Sequence, residues 1–117
     1  EGPLVVFCHG FPELSWSWEK QVQALAAAGY RAVAPDMRGY GGSDKPQGVD
    51  AYSILHLVGD MVALVEALGE KEAVIVGHDW GAIATHTAVA VLTAQVLSRM
   101  LRGSASRKAS PTPGSVA

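Results

Sequence analysis

The chain has 117 residues, a net charge of −2 and a hydrophobic content of 49%. That is one globular domain or part of one, and it excludes a disordered or collagen-like chain. A pI near 6.1, without a basic patch or an acidic run, points away from nucleic-acid binding.

Residues 4–8, LVVFC, are a short apolar run and read as a buried strand. The lone cysteine, Cys8, lies inside it, so it reads as a buried strand residue, and no disulfide framework is available. The turn HGFP follows, at residues 9–12. Ser17 is a candidate N-cap for a helix that carries Glu19 in its first turn and Trp18, Val22, Leu25 and Ala26 at helical spacing. Gly29 is a natural stop. Residues 31–34 predict a second strand, closed by Pro35 and Asp36. Residues 36–48, DMRGYGGSDKPQG, read as a loop, with Asp36 and Arg38 expected to pin it. Ser53 can cap a helix whose apolar face is Leu57, Met61, Leu64, Val65 and Leu68, stopped by Gly69. Residues 73–76 predict a third strand running into GHDWGA and another helix.

Strands that alternate with helices imply a parallel sheet with right-handed crossovers. Near-continuous apolar strands fit a sheet covered on both faces. Sites on such sheets lie beyond the carboxyl ends of the strands, where the turns at His9, Asp36 and Gly77 all fall. Residues 81–97 are too short and too polar for a membrane span, and no signal peptide is visible. With a single cysteine this suggests a cytoplasmic setting. Residues 103–117 are 12 of 15 small or turn-type and are expected to form a disordered tail behind a core domain of residues 1–102.

The stretch VGHDWGA, residues 76–82, carries the chemistry. It has the cadence of a nucleophile elbow, a sharp strand-to-helix turn whose central residue is held in a strained conformation. Gly77 and Gly81 flank Asp79 two residues away on either side. A carboxylate is a poor nucleophile toward amides but a reasonable one toward saturated carbon. Attack would give an alkyl ester of Asp79, and its hydrolysis passes through an oxyanion that needs two N–H donors. Trp80 N–H and Phe11 N–H are the candidates. Losing one such donor typically costs about 3–4 kcal/mol of barrier. Asp79 could otherwise be an ordinary helix N-cap. His9 and His78 read as turn or core residues satisfied by hydrogen bonds. His56 and His86 read as structural or exposed, and Trp16 and Trp18 as core and pocket wall. No metal-ligand spacing is present, so no metal or cofactor is expected.

FCHGFPE, APDMRGYGGSDKP and VIVGHDWGA together resemble the N-terminal half of an epoxide hydrolase of the α/β-hydrolase fold, across about residues 3–84. The resemblance implies an α/β class: a partial α/β-hydrolase fold, a parallel sheet with flanking helices, about three strands and three helices. It implies that Asp79 attacks an epoxide carbon of a small-molecule substrate and that Phe11 and Trp80 supply the oxyanion hole and line the substrate. Pro12 would make the turn that presents Phe11, and the product would be a vicinal diol. The catalytic histidine, relay acid and cap tyrosines of the family have no counterparts here, and Tyr30, Tyr40 and Tyr52 match no cap position. The isolated chain is therefore expected to be inactive as a catalyst. Haloalkane and fluoroacetate dehalogenases share the aspartate, but Phe11 together with Trp80 fits the epoxide hydrolases better. A truncated, non-enzymatic isoform is the remaining alternative.

Overall fold

The structure, a computed structural model, describes residues 2–87. β1 (Leu4–Cys8), β2 (Arg31–Val33) and β3 (Val74–Gly77) form a parallel sheet in the order β2-β1-β3. Val5 lies opposite Ala32 on one side and Val74 on the other, and Cys8 pairs with Gly77. All three strands therefore end at the same edge of the sheet, as their sequence order required.

β1 is central because it alone is apolar at every position, and all five of its residues are buried. Alternation divides those side chains between two faces. Leu4, Val6 and Cys8 join Met37, Met61 and Ala84 in one cluster. Phe7, of the opposite parity, packs on Trp18 with ring centroids 5.0 Å apart. Both faces of β1 are thus covered, each large apolar side chain contributing roughly 1.5–3 kcal/mol. β2 is only half-buried, and Val74 of β3 is 58% exposed.

Helix α1 (Glu19–Ala27) follows a 3-10 turn over Ser15–Trp18, and α2 (Ile54–Ala67) follows another over Val49–Tyr52. The cap assignment for α1 needs correction. Trp18 holds that position without a side-chain cap bond. Ser17 lies within the 3-10 turn, one residue before the cap position, and its hydroxyl donates to Leu14 O at 2.8 Å. Ser53 does cap α2, accepting from His56 N–H. α1 and α2 stop at Gly29 and Gly69, with Tyr30 N–H to Leu25 O at 3.0 Å and Glu70 N–H to Val65 O at 3.1 Å. Residues 80–87 are helical. The expected tail at residues 103–117, and the domain boundary before it, lie outside the described residues. None of the helices described is long and apolar enough to cross a membrane.

Candidate active site

Asp79 sits where β3 turns into the helix of residues 80–87, and its φ is +56°. It is the one described non-glycine residue with positive φ, a conformation that costs free energy and persists only where surrounding contacts impose it. The contacts are visible. A Cβ on Gly77 would collide with the Gly81 backbone, and one on Gly81 would collide with the carbonyls of Cys8 and His9. Both glycines are needed for the strand, the elbow and the helix to approach so closely. His78 N–H donates to Cys8 O at 3.2 Å and ties the elbow to the end of β1.

The backbone carbonyl of Asp79 starts the helix, accepting from Ala82 and Ile83 at 3.0 and 3.2 Å. An ordinary N-cap has extended backbone and turns its side chain onto the N–H groups two or three residues on, here Gly81 and Ala82. Asp79 does neither. Its Oδ2 accepts from Phe11 N–H at 3.1 Å, across 68 residues of sequence. Trp80 N–H lies beside the carboxylate as well. These two N–H groups, Trp80 first and Phe11 second, hold the Asp79 carboxyl below the usual carboxylate range, with a smaller pull from His78. The carboxylate is solvent-facing, between Phe11 at 67% exposure and Trp80 at 56%. Pro12 follows Phe11 through a cis peptide bond. The elbow, with Asp79 and Trp80, and the HGFP turn, with Phe11, meet at one carboxylate.

The histidines divide. His9 is buried and satisfied at both ring nitrogens, by Gly10 O at 3.0 Å and Met37 N–H at 2.9 Å. His78 departs from the core reading: its side chain is exposed, with Nδ1 3.9 Å from Glu13 Oε2. His56 and His86 are exposed. Trp16 was expected in the core and is 70% exposed; Trp18, two residues later, takes the place against Phe7. Cys8 is inert: burial pushes its thiol up to about 11, and Sγ lies 3.2 Å from Met61 Sδ.

Asp36 and Arg38 pin the loop after β2 as expected, through partners that sequence could not supply. Arg38 forks onto Asp60 of α2 at 2.8 and 2.7 Å and donates to Ala51 O. Asp36 accepts from Ser15 N–H at 2.9 Å and from Gly42 N–H at 3.0 Å. The Gly42 and Ser15 bonds bring the Asp36 carboxyl down to about 2 from an ordinary 3.8. Because the folded value is depressed, the stability gained is full above about pH 3.8 and is lost as pH falls toward 2. Discounted for solvent screening, it amounts to about 1 kcal/mol. Asp36→Ala should therefore lower the urea midpoint near neutral pH. The gap to the unmutated chain should close below about pH 3.8; a gap independent of pH would contradict this account.

A cavity of about 200 Å³ opens beside the elbow, walled by His9, Tyr40, Tyr52, Leu57 and Trp80. Sequence reasoning found no role for these tyrosines. Their placement depends on the edge-on contact of Tyr40 with His9, at 4.9 Å, and on Tyr52 Oη donating to Pro46 O. A larger hollow of about 700 Å³, between the loop after β2 and α2, touches neither Asp79 nor its N–H donors, so the carboxylate chemistry belongs to the elbow. No group of three or more potential metal ligands occurs among the described residues.

A family model described as the α/β-hydrolase fold matches residues 3–114, running past Ala84, where the motif pattern ends. An epoxide hydrolase from Caballeronia sordidicola is 57% identical over 81 residues, covering 69% of this chain and 25% of that protein. Epoxide hydrolase A of Mycobacterium tuberculosis is 54% identical with the same coverage. A solved epoxide hydrolase structure from Vigna radiata superposes with a TM-score of 0.73 at 55% identity, covering 75% of this chain and 29% of that one. The chain thus spans about a quarter of the length of these curated relatives. A parallel sheet, an aspartate elbow and a family match over nearly every residue have one reading: the chain belongs to the α/β-hydrolase fold family, and within it is similar to epoxide hydrolases.

Proposed function

We propose that this chain carries the nucleophile of an epoxide-opening reaction on a small-molecule substrate. The observation that supports it most is the Asp79 carboxylate at a positive-φ elbow with Phe11 N–H on Oδ2. Oδ1 is then the freer oxygen for attack on an epoxide carbon. A C–O bond forms to Oδ1 and the epoxide C–O bond breaks, its electron pair leaving on oxygen as an alkoxide that takes a proton. Water next adds to Asp79 Cγ and gives up one proton to solvent. The negative charge lands on Oδ2, where Phe11 N–H already donates, with Trp80 N–H beside the same carboxylate, so little reorganisation is required. Collapse expels the second alkoxide, which is protonated to give the vicinal diol, and restores Asp79. The exposed Phe11 and Trp80 rings offer apolar surface for the organic part of the substrate. The chain's small net negative charge supports a partner that is not nucleic acid, and its lone buried thiol supports a reducing, cytoplasmic setting.

No histidine other than His9 and His78 adjoins the site among the described residues, and neither is placed as a base: His9 is locked in the core and His78 faces outward. General acid–base help is worth roughly 10²–10⁴-fold per group, so ester formation by these 117 residues should be slow and ester hydrolysis slower. Incubation with excess styrene oxide should leave a single covalent adduct, mapped by peptide mass spectrometry to Asp79, that outlasts removal of the epoxide. Absence of any adduct, or an adduct elsewhere, would refute the assignment.

A further inference from the structure

His9 opens the HGFP turn, and its ring is held between backbone groups. It is 1% exposed, and both ring nitrogens face backbone groups. The Met37 N–H can only donate, so Nε2 must accept and carry no proton. The Gly10 carbonyl can only accept, so Nδ1 must carry the proton. One neutral tautomer satisfies both contacts. The other tautomer mismatches both, and the imidazolium sets Nε2–H against Met37 N–H.

The group held by Nδ1–H is the peptide between Gly10 and Phe11. Its carbonyl accepts from His9 Nδ1 at 3.0 Å and from Glu13 N–H at 2.9 Å. Its N–H is the one that donates to Asp79 Oδ2. A peptide group is planar, so fixing the carbonyl fixes the direction of the N–H at its other end. Donation into the carbonyl also polarises the amide and strengthens its N–H as a donor, by ~10–30% per bond. Met37, directly after Asp36, thereby ties the loop after β2 to the carboxylate through one buried ring.

We propose that His9 is a positioning residue: in its Nδ1–H tautomer it clamps the Gly10–Phe11 peptide and aims the Phe11 N–H at Asp79 Oδ2. The value of that aim rests on the reading of Phe11 as an oxyanion donor, but the clamp itself can be measured without substrate. In the isotope-labelled chain, long-range proton–nitrogen spectra should show His9 protonated at Nδ1 and bare at Nε2. The coupling across the hydrogen bond from Phe11 N to Asp79 Cγ should be present. It should be lost in His9→Phe, which keeps the buried bulk, and should return in His9→Asn, whose side-chain N–H can replace Nδ1–H. A coupling unchanged in folded His9→Phe, or lost equally in His9→Asn, overturns the proposal. If His9→Phe does not fold, the tautomer in the unmutated chain decides, and a proton on Nε2 overturns it. An intact clamp in a chain that forms no ester with styrene oxide would refute the epoxide reading and leave His9 in its role.

Discussion

Asp79→Asn should abolish covalent capture of an epoxide, slowing adduct formation by roughly four to six orders of magnitude, the scale on which removal of other covalent nucleophiles is felt. Asparagine has nearly the same shape and keeps a carbonyl oxygen for Phe11 N–H and Trp80 N–H. The elbow should therefore persist, and only the anionic attacking oxygen is lost. Equal amide dispersion and an equal urea midpoint for the two chains would show that the loss is chemical. Adduct formation by Asp79→Asn at the unmutated rate would mean that another group, not the elbow carboxylate, reacts with the epoxide. Treatment with a haloalkane separates the related lineage: halide release without capture of epoxide would move the assignment to a dehalogenase.

Gly81→Ala should destabilise the chain by about 3 kcal/mol, the upper part of the usual overpacking range. The added Cβ meets the Cys8 and His9 carbonyls, which are backbone of the central strand and the turn after it. A flexible side chain could move away, but β1 cannot, because it is paired on both sides and buried throughout. The first turn of the helix must then shift away, carrying Trp80 N–H off the carboxylate. Chemical denaturation reads the stability. The Trp80 amide resonance reads the shift, and an unmoved resonance with unchanged stability would refute the close-approach argument.

Much of the fold was legible because its signals are local. The apolar run at residues 4–8, the stops at Gly29 and Gly69 and the Ser53 cap each depend on a few adjacent residues. The failures share a cause. Ser17 and Trp16 carry generic preferences, for caps and for cores, and which residue fulfils them depends on where the 3-10 turn places each side chain. His78 likewise has no local signal that it faces solvent.

The sequence by itself determined the parallel strand–helix order and the elbow, and put Asp79, Phe11 and Trp80 forward as its candidates. Spacing and residue type are sufficient for these, since an elbow needs its small flanking residues and a carboxylate needs nearby N–H groups. Only the tertiary structure decided which oxygen Phe11 N–H holds, that Asp79 is not an ordinary cap, and that His9 braces the peptide presenting Phe11. It also decided the partners of Asp36 and Arg38. The physical reason is separation along the chain. Phe11 and Asp79 are 68 residues apart, and hydrogen-bond direction is set to within a few tenths of an ångström by β1 and β3 lying side by side. No periodicity or motif encodes that alignment; it exists once the sheet has formed.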